Sequence, residues 1–274
     1  MPKTNKIYYW IVFFIIFLLI IYILSYVQYT FNILEYDNNH IIFLNNRQLT
    51  NFLIQDNDNY YNSFNQLDFQ VRKISSPEDY GLLIEKSCRD FTTYEKNKIV
   101  RCINILETIM GKIKYPWFDG EKAMKTQWKF GCIQGKLYEE GLPHTRFDVI
   151  VIPEKCIRLY STRQLCKLIL HEKTHVYQKL YTNDSEKYVH YHNFYKYSKR
   201  SDIHGTRANP DLNEWIYNNS DNKSYIALYN NNPKDILDVT YHPINKAEYE
   251  HPYEQMAYEI QEYTNKIPII NFYW

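Results

Sequence analysis

Residues 170–176 read Leu-His-Glu-Lys-Thr-His-Val and contain the pattern H-E-x-x-H. On an α-helix, side chains four positions apart lie on one face, so the imidazoles of His171 and His175 can bind one metal ion. Zinc accepts imidazole nitrogen at about 2.0–2.1 Å and keeps a coordination position for water in catalytic sites. Glu172 lies next to the first histidine, within reach of that water. This stretch therefore predicts a helix that carries a metal site.

The sequence on either side predicts that this helix runs from Ser161 to about Leu180. Ser161-x-x-Gln164 is a capping-box pattern, which is typical of a helix start. The apolar stripe of the helix consists of Leu165, Ile169, Val176 and Leu180, and the opposite face carries Arg163, Lys167 and Thr174. Glu172 falls in the middle of the apolar stripe, where a carboxylate is costly unless a cation or another partner lies beside it.

The elements around this helix predict an α+β fold. A capping-box pattern begins an earlier helix at Thr92. The β-branched run Phe147–Ile152, which ends at a proline, predicts a strand just before the H-E-x-x-H helix. A last helix begins at Pro252, a favoured first-turn proline, and continues to about Asn265. The polar stretch between the last two helices is predicted to be a long insertion.

The motif and the strand before it resemble the zincin metallopeptidases, and the resemblance covers roughly residues 140–262. In that family the strand at the sheet edge lines the cleft and pairs with the substrate backbone, which implies this role for Val149 and Val151. The metzincin form of the motif, H-E-x-x-H-x-x-G-x-x-H, is absent. Gln178 stands at its glycine position and Tyr181 at its third-histidine position.

The gluzincin branch of the zincins takes its third ligand from a glutamate on a later helix. Residues 254–258 read Glu-Gln-Met-Ala-Tyr and resemble the E-x-x-A-[DY] pattern of small gluzincins, which implies Glu254 as the third ligand. Ala257 and Tyr258 share the helical face of Glu254, and a small alanine lets two helices approach closely. Glu250 and His251 precede this helix and remain rival ligands.

The resemblance implies one Zn²⁺ per chain and the hydrolysis of peptide bonds in a peptide or protein substrate. Glu172 would act as the general base toward the zinc-activated water. Four residues are candidates for the oxyanion donor, or for a residue that contacts the metal ligands and orients them: Tyr258, His192, Tyr241 and Arg207. Two alternatives remain: an inactive zincin-fold membrane protein that serves as a scaffold or binding protein, and a zinc hydrolase that acts on other substrates.

Residues 7–27 are 21 positions without charge, proline or glycine, and a helix of that length rises about 30 Å. They predict a transmembrane helix. Lys3 and Lys6 precede it, so the positive-inside rule places residues 1–6 in the cytosol and the rest of the chain outside it. We therefore expect a single-pass membrane protein with a connecting region, residues 28–75, and a zincin-like catalytic domain, residues 76–274. That domain would be lumenal, extracellular or virion-exposed.

The composition excludes several other classes of protein. Lysine and arginine number 32 against 31 aspartates and glutamates, so the net charge of +1 implies no nucleic acid partner. No glycine-rich phosphate loop is present. The five cysteines form no C-x-x-C pair, which disfavours a cysteine-ligated zinc site. Two disulfides with one thiol, or buried free thiols throughout, both remain open.

Overall fold

The computed structural model describes residues 4–34, 40–243 and 249–272. The chain divides into two compact units, Met1–His40 and Ile41–Trp274. The helices are α1 (Thr4–Leu34), α2 (Asn46–Gln55), α3 (Gln66–Arg72), α4 (Pro77–Ser87), α5 (Thr93–Met110), α6 (Gly120–Lys125), α7 (Glu154–Leu159), α8 (Thr162–Leu180), α9 (Thr182–Tyr191) and α10 (Pro252–Gln261). The strands are β1 (Ile41–Phe43), β2 (Cys88–Arg89), β3 (Lys114–Tyr115), β4 (Phe118–Asp119), β5 (Trp128–Ile133), β6 (His144–Arg146), β7 (Val149–Pro153), β8 (Tyr195–Lys199), β9 (Trp215–Asn218), β10 (Ser224–Tyr229) and β11 (Val239–His242). Short 3₁₀ helices cover Tyr61–Ser63, Glu139–Gly141, Arg200–Asp202, Glu262–Lys266 and Ile269–Phe272.

The transmembrane helix expected over residues 7–27 is not borne out. Across the described parts of the chain, no helix is both long enough and apolar enough to cross a bilayer. The predicted membrane anchor is therefore not supported, and neither is the single-pass localisation that was inferred from it.

The unit Ile41–Trp274 is a mixed α/β structure built on a five-stranded sheet. The strand order is β1-β5-β7-β6, and β2 also pairs with β5. Strands β1, β5 and β7 pair in parallel, whereas β6 runs antiparallel to β7 at the edge. Because two of the four strand pairings in this sheet are parallel and two are antiparallel, the sheet is mixed and the α+β class predicted from sequence holds only loosely. Residues 41–75, which were assigned to the connecting region, contribute β1, α2 and α3 to this unit.

The edge position expected for Val149 and Val151 is wrong, because both residues lie on β7 inside the sheet. Val149 pairs with Lys129 of β5 on one side and with Arg146 of β6 on the other. The chain turns at Phe147, which has a φ of 50°, and β6 thereby becomes the edge strand in front of β7. A substrate backbone therefore has no free β7 edge with which to pair.

Helix α8 lies in the centre of the unit. It packs against α5, α10, β6 and β7, with α6 and α9 also in contact. Lys173 and Thr174 are almost completely buried, so the polar far face predicted at Thr174 is wrong. The Lys173 ammonium donates hydrogen bonds to the carbonyl oxygens of Thr126 and Gln127, at 2.8 and 2.9 Å, and these bonds compensate for its burial.

The long insertion between α9 and α10 is ordered as a second sheet. Its four strands follow the order β11-β10-β9-β8 and are antiparallel throughout. This arrangement brings the segment Arg207–Leu212, which follows β8, beside α10. All five cysteines are buried free thiols, which settles the alternative left open by the sequence.

Candidate metal centre

Three side chains from two helices converge at one point. His171 and His175 project from α8, and their Nε2 atoms are 3.1 Å apart. Glu254, in the first turn of α10, places its Oε2 atom 3.5 Å from His171 Nε2 and its Oε1 atom 3.9 Å from His175 Nε2. All the candidate ligand atoms lie within 4.8 Å of one another. The structure therefore brings together the three residues that the sequence selected as ligands.

These separations fit one small divalent cation. Ligand atoms at 2.0–2.1 Å from a tetrahedral ion are roughly 3.3 Å apart, close to the 3.1 and 3.5 Å found here. Two imidazoles and one carboxylate form a donor set that zinc accepts in catalytic sites, with a fourth position left for water. His175 is fully buried, whereas His171 and Glu254 keep 12% and 13% of their side chains exposed toward the cleft.

Local sequence explains why the two helices begin where they do. The Ser161 side chain accepts a hydrogen bond from the Gln164 amide, and the Gln164 side chain accepts one in return, so α8 begins with a complete capping box. At α10, the amide of Tyr253 donates to Nδ1 of His251, which is the N-cap residue. Its Nε2 atom lies 3.2 Å from Asn213 Oδ1, so both ring nitrogens of His251 have other partners, and the residue does not join the cluster for which the sequence left it as a rival of Glu254.

The other rival ligand, Glu250, interacts with residues outside the cluster of His171, His175 and Glu254. Its carboxylate forms an ion pair with Arg207 and accepts a hydrogen bond from Asn209 Nδ2 at 2.8 Å. The same Asn209 amide donates to Glu254 Oε1 at 3.3 Å. Because a carboxylate that coordinates a metal is commonly held by further hydrogen bonds, Asn209 is placed to orient Glu254 if this carboxylate binds one.

A buried hydrogen bond holds the ring of His175. Its Nδ1–H donates to Gln178 Oε1 at 2.8 Å, and the Gln178 amide donates to the carbonyl oxygen of Tyr253 at 2.9 Å. This bond fixes the tautomer that directs Nε2 of His175 toward Glu254. Nδ1 of His171, by contrast, is buried and has no hydrogen-bond partner within the described structure. The Tyr258 ring packs edge-on against His171, with centroids 4.8 Å apart.

Glu172 is buried beside the two histidines, with 2% of its surface exposed. Its Oε2 atom accepts a hydrogen bond from the hydroxyl of Thr145 on β6 at 2.9 Å. Burial, together with the negative charge of Asp211, raises the pKa of Glu172 to about 8. A carboxyl group with a pKa near neutrality can both take and return a proton.

The charges of His171, His175 and Glu254 affect one another's protonation. Burial lowers the pKa of His175 to about 3. Burial also opposes protonation of His171, but its hydrogen bond and charge interaction with Glu254 outweigh this and raise its pKa to about 9. Burial would raise the pKa of Glu254, yet the two histidines lower it to about 2. A buried carboxylate is therefore held ionised by one shared positive charge, which a metal ion could replace.

The centre opens into a cleft of about 320 Å³. His171, Glu172 and Glu254 lie in its wall, and apolar or aromatic side chains line much of the rest. These are Leu142, Leu168, Ile236, Leu237, Tyr241, Tyr249 and Tyr258. The wall is divided almost equally between polar and apolar side chains, and its polar groups converge on one point, as in a small-molecule or peptide site.

The remaining candidates from the sequence divide into two groups. Tyr258, Tyr241 and Arg207 line the cleft, although Arg207 is paired with Glu250. His192 is not among the lining residues. It packs on Tyr188, with ring centroids 4.2 Å apart, and its Nε2 atom lies 3.9 Å from Glu259 Oε2.

Sequence reasoning missed four residues that touch the centre: Thr145, Gln178, Asn209 and Asp211. Only Gln178 offered a local signal, because it lies three residues after His175 on the same helix. The other three come from an edge strand and a loop, so their proximity depends on the tertiary fold.

Comparisons of the chain with models of protein families, with curated proteins and with solved structures found no match.

Proposed function

We propose that the unit Ile41–Trp274 is a zinc-dependent metallopeptidase of the zincin type, with the third ligand supplied as in gluzincins. The observation that carries this proposal is the convergence of His171, His175 and Glu254, with Glu172 buried beside them. The motif alone predicts two ligands and a base. The third carboxylate, from a helix 79 residues further along the chain than His175, is what makes the arrangement a complete donor set.

The chemistry divides between the metal and the residues of the chain. When bound, Zn²⁺ would lower the pKa of a water ligand toward about 7 and polarise the carbonyl group of the substrate. Glu172 takes a proton from the attacking water and delivers it to the leaving amine. Gln178 and Asn209 hold the ligands His175 and Glu254 in place.

The developing oxyanion needs a hydrogen-bond donor besides the metal. Tyr241 and Tyr258 line the cleft and carry phenolic hydroxyl groups, which are suitable donors. Arg207 lines the cleft as well, but its guanidinium is paired with the buried carboxylate of Glu250. We therefore favour one of the two tyrosines over Arg207 in this role.

One observation favours a second candidate function, that of an inactive zincin-fold scaffold or binding protein. The outward backbone groups of Thr145, on the edge strand β6, are already occupied within the chain. Its amide donates to Asp211 Oδ1 at 2.5 Å, and its carbonyl oxygen accepts from Lys179 Nζ at 3.1 Å. A peptide that paired with β6 at this position would have to displace both groups.

Metal analysis combined with one substitution separates the two functions. We expect the purified full-length chain to hold one zinc per molecule and to cleave members of a quenched-fluorescence peptide library. Glu172→Gln should keep the zinc and lower kcat by about 10²- to 10⁴-fold, because it removes the general base. His175→Ala should lose both zinc and cleavage. Glu262→Gln, at a half-exposed position on the surface, is the matched control and should match the wild-type protein.

Three results would decide against the peptidase. Stoichiometric zinc without cleavage of any library member would favour the scaffold. Cleavage that is unchanged in Glu172→Gln would show that the activity comes from another protein or site. A chain that binds no divalent metal would contradict the peptidase and leave only the scaffold or binding protein.

A further inference from the structure

Thr145 is completely buried between the edge strand and the H-E-x-x-H helix. Its hydroxyl oxygen lies 2.9 Å from Glu172 Oε2 and 3.1 Å from the Glu172 carbonyl oxygen. The hydroxyl has one hydrogen to donate, and a carboxylate oxygen is the stronger acceptor of the two. The Thr145 hydroxyl therefore donates its hydrogen bond to Oε2 of Glu172, and Oε1 receives no hydrogen bond from it.

The backbone amide and the backbone carbonyl oxygen of Thr145 each have a side-chain hydrogen-bond partner. Its amide donates to Asp211 Oδ1 at 2.5 Å, and Lys179 Nζ donates to its carbonyl oxygen at 3.1 Å. Asp211 is buried and its own amide donates to Asn209 Oδ1 at 3.0 Å. The backbone of Thr145 is thus fixed by groups outside the sheet, in addition to its place in β6.

The same short loop also reaches the proposed metal ligand. Asn209 donates to Glu254 Oε1 at 3.3 Å, and Asp211, two residues later, fixes Thr145. One loop therefore contacts the third ligand directly and the base through Thr145. Because the two carboxylates are oriented from a common support, their relative placement is determined by the loop as well as by the two helices.

We propose that Thr145, anchored by Asp211, is the positioning residue for Glu172, and that it holds Oε2 so that Oε1 faces the attacking water. This inference rests on the proposed peptidase function. A glutamate has three rotatable bonds, and only a restrained carboxylate stays within reach of the proton that it must take. Thr145 is completely buried and is not part of the cleft wall, so its hydroxyl acts through Glu172.

The test compares two substitutions in the full-length chain. Thr145→Val keeps the branched shape and removes the hydroxyl, whereas Thr145→Ser keeps the hydroxyl. We expect Thr145→Val to lower kcat by about 10- to 100-fold while KM and the zinc Kd stay within about twofold of wild type. Thr145→Ser should recover kcat to within about threefold. Thr264→Val is the matched control, since Thr264 is equally buried and its hydroxyl donates only to the Gln261 carbonyl oxygen.

Several results would overturn the proposal. These are an unchanged kcat in Thr145→Val, a parallel loss of zinc affinity, or a failure of Thr145→Ser to recover the rate. If Thr145→Val does not fold, Thr145→Ala takes its place with the same expectations.

A second readout does not depend on activity. Crystal structures of the zinc-loaded wild type and Thr145→Val should show the Glu172 carboxylate ordered in the first and rotated or disordered in the second. If the wild-type protein cleaves no peptide, the proposed function fails, and these two structures alone decide whether Thr145 positions Glu172. An identical Glu172 conformation in both would end the proposal.

Discussion

Gln178 links the proposed metal ligands of two helices through a single side chain. It accepts a hydrogen bond from His175 and donates one to the carbonyl oxygen of Tyr253, the residue before Glu254. Both bonds are buried, so neither group has water as an alternative partner. The residue therefore has a structural reason to remain a glutamine, although the sequence pattern noted it only as a departure from the metzincin motif.

We predict that Gln178→Leu weakens zinc binding by about 10- to 100-fold, because His175 loses the partner that fixes its tautomer. Competition with a chromophoric chelator at constant pH measures the zinc Kd. Gln178→Glu keeps the acceptor and should bind zinc at least as tightly as Gln178→Leu does. Gln134→Leu, at an exposed position, should have no effect. A wild-type Kd in Gln178→Leu would show that His175 needs no such partner.

Among individual residues, the sequence predicted those candidate ligands whose positions on a helix could be read from their spacing. His171, His175 and Glu254 were selected by spacing and by a family pattern, and they meet within 3.9 Å. Thr145 and Asp211 could not be selected in this way. Their roles arise because an edge strand and a loop of the insertion meet beside α8, and nothing in their local sequence specifies that contact.

Among the elements, the packing of α8 against α10 sets the geometry of the centre. Ala257 is completely buried one turn after Glu254, on the same helical face. Tyr258, the next residue, already contacts His171. A small side chain at position 257 therefore lets α10 approach α8 closely enough for Glu254 to reach the histidines.

Ala257→Leu should destabilise the protein by about 1–3 kcal/mol through overpacking and weaken zinc binding at the same time. Urea denaturation and chelator competition measure the two effects. Ala227→Leu, a similar change at a buried position on β10, should lower the free energy of unfolding with little change in the zinc Kd. Normal zinc affinity in Ala257→Leu would mean that the helix separation does not control the site.

A second close approach joins α2 to the central strand β5. A Cβ atom added at Gly131 would lie 2.3 Å from Leu49 Cδ1, which is closer than two carbon atoms can approach. We predict that Gly131→Ala lowers the free energy of unfolding by about 1–3 kcal/mol, measured by urea denaturation. Gly81→Ala is the control: it meets nothing within 4 Å and lies inside α4, where alanine is favoured. Equal stability of the two variants would contradict the prediction.

The elements themselves were predicted unevenly. The helix starts at Thr92, Ser161 and Pro252 were anticipated because capping residues and a first-turn proline are local signals. The position of β7 inside the sheet was not. Strand β6 reads His-Thr-Arg, without the apolar or β-branched run that identifies a strand, so no local pattern predicts that β6 covers the edge of β7.

Across the molecule, one buried ion-pair network ties the N-terminal part of the unit to the cleft wall. Arg72 on α3 forms two hydrogen bonds of 2.8 Å with the carboxylate of Glu139. Tyr60 and Tyr80 donate their hydroxyl groups to the same carboxylate, at 3.0 and 2.5 Å. Burial alone would raise the pKa of Glu139, but the charge and hydrogen bonds of Arg72 lower it to about 2.

This network predicts how stability changes with pH. Because the folded-state pKa of Glu139 lies below its ordinary value of 4.5, the stabilisation is complete above about pH 4.5 and is lost as the pH falls toward about 2. Lowering the pKa from 4.5 to about 2 corresponds to about 3 kcal/mol of stabilisation. Urea denaturation at pH 7 and pH 3 should show a fall about 2 kcal/mol larger in wild type than in Glu139→Gln. Equal falls would show that Glu139 does not titrate in this way.

The whole-molecule predictions succeeded least, because they depend on long-range pairing. The sequence indicated helices with a small sheet, but the parallel pairing of β1 with β5 joins residues more than 80 positions apart. The region around residues 41–75 has a polar composition that favours a linker, yet Leu49 and Leu53 are fully buried in the core. Composition averages over a segment, whereas burial is decided by individual positions.

The distance along the chain between the proposed ligands has a consequence for folding. His175 and Glu254 are 79 residues apart, and the whole second sheet lies between them. A cation bound by both would act as a cross-link that closes this loop and is available only to the folded chain. At a free metal concentration a thousand times the Kd, the gain would be about 4 kcal/mol. The resistance of the C-terminal helix to proteases would then follow the supply of metal.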